Sequence, residues 1–182
     1  MGLGGAAPLP LNWKLSATAD FDHDGGPDIL WRNETSQRLV IWTMNGTVKA
    51  GNILPSPDHA VDGNWEIVGA RDFDGDGNTD LLWYNGTSGK VVIWRMDASV
   101  VRLSGSFTTP ANAGDNNWRV VATADYGKGV GGVLQTPDLL WRNASSGRLV
   151  IWHLDWSGTR TAGLFTTPDS MGDLAWLVVG PR

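Results

Sequence analysis

Eight aspartates stand in two short runs of identical spacing. Asp20, Asp22, Asp24 and Asp28 occupy positions 1, 3, 5 and 9 of one run, and Asp72, Asp74, Asp76 and Asp80 repeat those positions in the other. Alternate residues of a curling loop point inward together, and the glycine at position 6 (Gly25 or Gly77) permits a sharp bend. Carboxylates at such close quarters repel one another unless a cation sits among them. All-oxygen donors favour calcium or magnesium, and a flexible loop with room for seven ligands favours calcium. A backbone carbonyl from position 7, Gly26 or Asn78, is expected to complete each shell with water. An EF-hand is excluded: its twelfth position is a glutamate flanked by helices, whereas here it is Trp31 or Trp83, inside a strand. The plainer alternative is a pair of Asp/Gly-rich hairpin turns without metal. Two identical acidic spacings in register favour the ion.

The elements that must hold these loops are legible from the tryptophans. There are eleven, with 24 glycines, in 182 residues, a bias that points to a copied unit. Trp13, Trp65, Trp118 and Trp176 open successive copies. In the first three, an aspartate follows seven residues on (Asp20, Asp72, Asp125). A second stands three residues before another tryptophan (Asp28 with Trp31, Asp80 with Trp83, Asp138 with Trp141), and a third tryptophan follows at Trp42, Trp94 and Trp152. The units are residues 13–64, 65–117 and 118–175, with 1–12 as the tail of a preceding unit and 176–182 repeating only a first strand. In the third copy only Asp125 and Asp138 survive, with Lys128 between them. That loop is expected to have lost its ion.

Each unit reads as four short strands. In the middle copy these are predicted over 65–71, 79–84, 90–96 and 99–107, separated by Asp/Gly/Asn-rich turns. No sustained helical period appears. In the third strand Val91 and Ile93 alternate with Val92, Trp94 and Met96, so both faces must be covered. A four-stranded sheet repeated every ~50 residues and covered on both faces by its neighbours describes a β-propeller blade. A β-sandwich predicts one polar face per strand and no such repeat. The fold class is therefore all-β and propeller-like, with three four-stranded antiparallel blades and a partial fourth strand.

Residues 72–80 followed by Leu81, Leu82 and Trp83, and the same layout over 20–31, resemble FG-GAP/VCBS-like repeats, the acidic-loop blades of integrin-type propellers and many bacterial surface proteins. Leu30-Trp31-Arg32-Asn33, Trp141-Arg142-Asn143, Ile41-Trp42 and Ile151-Trp152 look like the bacterial version. The resemblance covers about residues 13–182. It implies that Asp20, Asp22, Asp24 and Asp28 ligate one calcium and Asp72, Asp74, Asp76 and Asp80 another. It further implies an extracellular or cell-surface, non-catalytic protein used in adhesion or ligand binding.

Composition agrees with these readings. The formal net charge of −5 argues against nucleic acid and anionic membranes as partners. Eight of the nineteen acids lie in the two loops, and the remaining 11 face 14 Lys and Arg, so the acidity is mostly metal site. There is no cysteine, which excludes disulfides and thiolate chemistry. No apolar run reaches membrane-spanning length. Residues 1–10 lack the basic and apolar regions of a secretory leader. His23, His59 and His153 stand in unrelated contexts and no nucleophile or phosphate-loop motif occurs, so no catalytic residue is assigned.

Propellers close with four to eight blades. Three blades leave two apolar faces uncovered, and such faces drive association. The chain is expected to assemble with itself, as a closed ring or an open filament. The bland alternatives are a piece of a longer polypeptide or a self-capped arc. A secreted adhesion or carbohydrate-binding module is the second functional reading. Off-pattern Trp156 is its candidate for an exposed contact, and Arg32 and Arg142 would line inter-blade clefts, although strand-end turn capping by their Arg-Asn pairs is the simpler role. Four sequons, at Asn33, Asn45, Asn85 and Asn143, fall at turns where a glycan would be accessible.

Overall fold

The computed structural model describes residues 12–60, 62–127, 136–170 and 172–175. The lead-in before residue 12, the interior of the third loop at 128–135 and the expected partial strand at 176–182 lie outside the described residues.

Among the described residues, twelve strands form three separate four-stranded antiparallel sheets in simple up-and-down order. The first contains β1 (Trp13–Ala19), β2 (Asp28–Asn33), β3 (Leu39–Asn45) and β4 (Val48–Ile53). The second contains β5 (Trp65–Arg71), β6 (Asp80–Asn85), β7 (Val91–Met96) and β8 (Arg102–Phe107). The third contains β9 (Trp118–Ala124), β10 (Asp138–Asn143), β11 (Leu149–Leu154) and β12 (Arg160–Phe165). Among the described residues there is no helix and no closed barrel. The all-β, propeller-like architecture of three four-stranded blades is the one observed.

Strand boundaries in the middle blade move slightly from the predicted ones. The second strand starts at Asp80 rather than residue 79, and the third at Val91 rather than 90. The fourth starts at Arg102 rather than 99, because the preceding turn is longer than Asp97-Ala98. Asp97 Oδ1 accepts the amides of Ser99 and Val101, both at 2.9 Å, and Val100 takes a left-handed φ of 58°. That side-chain-capped turn competes successfully with the strand ladder.

Blade stacking follows from strand alternation. β1 packs on β5 and β5 on β9, so the first strand of each blade meets the first strand of the next. Gly69 of β5 lies so close to Thr123 of β9 that a Cβ would stand 2.7 Å from Thr123 Cγ2. Every first strand carries a bulge at the same place, around Ser16, Val68 and Val121, which sharpens the local twist. Between blades 1 and 2 one core gathers Leu30, Leu39 and Ile41 against Leu81, Trp83, Trp94 and Met96. Between blades 2 and 3 another gathers Leu82, Tyr84, Val91 and Ile93 against Leu139, Trp141, Trp152 and Leu154. Each blade therefore has a forward face, toward the next blade, and a back face, toward the previous one.

Candidate metal centre

The two acidic loops join the first strand of a blade to the second, β1 to β2 and β5 to β6. Position 2 anchors each one: Phe21 and Phe73 are both buried in the inter-blade cores, while the residues after them turn into solvent. The last aspartate opens the second strand and is fully buried. Asp28 Oδ2 accepts the Phe21 amide at 3.0 Å and its Oδ1 the Met44 amide at 2.9 Å. Asp80 accepts the Phe73 and Met96 amides in the same way, at 2.9 and 2.8 Å. This carboxylate pins the loop to the third strand.

Around it the structure gathers Asp20, Asp22 and Asp28 in one loop and Asp72, Asp74 and Asp80 in the other. In each trio the ligand oxygens lie within 4.8 Å of one another. That spread matches oxygens sharing one ion at calcium–oxygen distances of about 2.3–2.6 Å. The fit is supported by an orphan: Asp20 Oδ1 is buried with no hydrogen-bond donor, and an anionic oxygen out of water needs a positive partner. Asp24 and Asp76 stand outside these trios. Asp24 Oδ1 accepts the Gly26 amide and Asp76 Oδ1 the Asn78 amide, each at 2.7 Å, and Asn78 Nδ2 donates to Asp76 Oδ2 at 2.8 Å. Positions 5 and 7 thus pair with each other in a tight turn.

Left-handed backbone occurs at position 4 as well as at position 6. Gly75 (φ 83°) and Gly77 (φ 86°) supply it in the second loop; His23 (φ 60°) and Gly25 (φ 90°) supply it in the first. His23 itself is exposed. Burial pushes the Asp80 carboxyl up to about 7, against the lowering effect of the Met96 and Phe73 amides, with Asp74 and Asp76 adding repulsion. Burial also raises Asp74, reinforced by Asp76 and opposed by an amide and by Arg95. A divalent ion among these groups would offset both burial and repulsion.

Sequence reasoning missed a clamp on the second loop. Arg95 Nε lies 3.4 Å from Asp74 Oδ2, and its Nη2 donates to the Trp156 and Ser157 carbonyls of blade 3 at 3.3 and 3.0 Å. The only sequence signal was a cation one residue after the third tryptophan, where Thr43 and His153 stand in the other copies. Trp156 lies half-buried against Gly75, its ring 3.3 Å from where a Cβ would project. The other two residues expected to contact a ligand sit at the opposite end of the strands. Arg32 stacks 5.7 Å over Trp83 and lines a cleft of about 250 Å³ with Lys14, Glu34 and Glu66. Arg142 Nη2 donates to Leu174 O at 3.1 Å. The neighbouring asparagines cap turns: Asn33, Asn85 and Asn143 each accept two or more turn amides at Oδ1. All three are buried, which corrects the expectation that every sequon is accessible; Asn45 is the exposed one.

In the third loop Asp138 keeps the same cradle, with the Tyr126 amide at 3.1 Å and the Leu154 amide at 3.3 Å. His153 Nδ1 stands 2.8 Å from its Oδ2. Among the described residues only the first two loops gather three acidic side chains.

The fold and these loops define a blade-repeat protein with candidate divalent-cation sites. Residues 20–83, from the first acidic loop through the second, match the family model of the FG-GAP-like repeat. Repeats of this kind are generally non-catalytic and typical of extracellular or surface domains. No curated protein and no solved structure matches the chain significantly. No helix among the described residues is long and apolar enough to cross a membrane.

Proposed function

We propose that the chain is a non-catalytic, calcium-stabilised extracellular repeat protein that assembles with itself through its open blade faces into a ring or fibre. The observation that carries this reading is unequal burial at equivalent positions. Ile29, Trp31, Val40, Trp42 and Met44, on the back face of blade 1, are all half-buried. In blade 3 the equivalent Leu139, Trp141, Val150, Trp152 and Leu154 are all buried under blade 2. At the other end Leu149 and Ile151 are half-buried, where Leu39, Ile41, Val91 and Ile93 are 0% exposed. Covering two such faces removes the remaining exposed apolar area of several large side chains from water, at about 25 cal/mol per Å². Calcium in the two acidic loops stiffens the rim of the blades and sets the curvature on which closure depends. Light scattering with electron microscopy, in millimolar calcium and in excess EDTA, tests this. Calcium-dependent rings or fibres are expected; a monomer in both conditions at all concentrations overturns the assembly reading.

A further inference from the structure

Self-association by itself leaves the pairing of faces undetermined: back to back, front to front, or back to front. The faces themselves resolve it. Blade 3 presents Leu140, Arg142, Leu149, Ile151 and His153 forward, and blade 1 presents Leu30, Arg32, Leu39, Ile41 and Thr43. Four of the five are identical, so blade 3 carries nearly the surface that blade 1 turns to blade 2. The open back face of blade 1 (Ile29, Trp31, Val40, Trp42, Met44) matches the back face of blade 2 (Leu81, Trp83, Val92, Trp94, Met96), again at four of five positions.

We infer that blade 3 of one chain docks on blade 1 of a second copy, head to tail, in a contact that reproduces the chain's own interface between blades 1 and 2. This deepens the assembly reading and rests on it. Apart from the first strand, where residues 176–182 of the same chain and β1 of the second copy are both counterparts of β5, the template is given within the molecule. Arg32 stacks on Trp83; Arg142 is its equivalent, and Trp31 of the second copy is the equivalent of Trp83. Leu39 and Ile41 meet Trp94 and Met96 in one core; Leu149 and Ile151 would meet Trp42 and Met44. The backbone offers the same register. After each of the first two blades the chain pairs in parallel with the next blade's outer turn, the Arg102 amide donating to Ser56 O and the Arg160 amide to Thr109 O, both at 2.7 Å. Thr167 stands at the corresponding place after blade 3, before a proline as Ser56 and Thr109 do, and Lys49 is the counterpart of Arg102 and Arg160. Like faces have no such template: back-to-back pairing would oppose Trp31 and Trp42 to their own copies, which no interface in the molecule does.

A contact between two different faces has a distinctive test. In the intact chain, Trp42→Lys disables the back face and Ile151→Lys the forward face; both sites are half-buried, in the first and third of the described blades, so each variant is expected to fold, as checked by circular dichroism and melting. An unpaired ammonium buried in the contact weakens association by about a hundredfold or more. Each variant alone is expected to be monomeric by sedimentation velocity, and an equimolar mixture to form one-to-one heterodimers that grow no further. If wild type assembles but either variant still self-associates, or the mixture stays monomeric, head-to-tail pairing is wrong while the assembly reading stands. If wild type is monomeric at every concentration, both fall.

Discussion

The two acidic loops share a backbone and differ in their surroundings. Both hold a buried final aspartate between the same two amides, and both gather positions 1, 3 and 9. The second is also tied to blade 3, by Arg95 of its own blade, which stands beside Asp74 and donates to the Trp156 and Ser157 carbonyls, and by Trp156 lying on Gly75. The first has Thr43 where the second has Arg95. Beyond the buried Phe21, its polar tie to blade 2 among the described residues is the hydrogen bond from Thr79 Oγ1 to Asp20 O at 2.9 Å. A guanidinium beside a cation site does two opposite things. It competes electrostatically with the ion, and it fastens the loop to the neighbouring blade. The third loop carries the substitution further, with His153 directly on the buried Asp138.

Removing the shared anchor is the most damaging change. Asp80→Ala orphans the Phe73 and Met96 amides and removes a cation ligand, so it should cost about 3 kcal/mol or more in denaturant unfolding with calcium present. Asp28→Ala should cost a similar amount; a much smaller loss at either position would break the equivalence of the two loops. Arg95→Ala separates competition from fastening. It should lower stability by about 2 kcal/mol, as expected for a partly buried charged hydrogen-bonding group, yet tighten calcium binding at the second loop alone. Calorimetry in an Asp22→Ala background, which removes a ligand of the first loop, checks this, and unchanged affinity would mean that Arg95 only fastens.

Proton linkage sharpens the comparison in the calcium-free protein. Asp80 titrates near 3.8 when unfolded and about 7 when folded. Between those values the folded chain therefore binds more protons, and its stability declines as pH rises from about 4 to 7. Melting in EDTA should show that slope, flattened in Asp80→Asn and largely removed by saturating calcium. The smallest effect concerns position 4. His23 bears a left-handed φ that Gly75 adopts freely in the other loop, so His23→Gly should stabilise the first loop by up to about 1 kcal/mol. A loss of stability there would show that the imidazole contributes a contact of its own.

The period, the four-stranded unit and both acidic loops could be read from one chain, because they rest on local chemistry repeated in register. Aspartates at alternate positions, glycines at the bends and tryptophans at fixed offsets each constrain their own neighbourhood, and three copies multiply the signal. The boundary of β8 was missed for a local reason, since Asp97 caps a turn that strand propensity alone does not reveal. Everything involving two blades required the tertiary structure. Arg95 reaches residues 61 and 62 positions away. Whether Trp31 and Trp83, at the same repeat position, lie half-buried or buried follows from whether a described blade packs against that face. Sequence specifies which atoms can bind an ion or cover a face. Only the packing of one blade on the next decides which of them do.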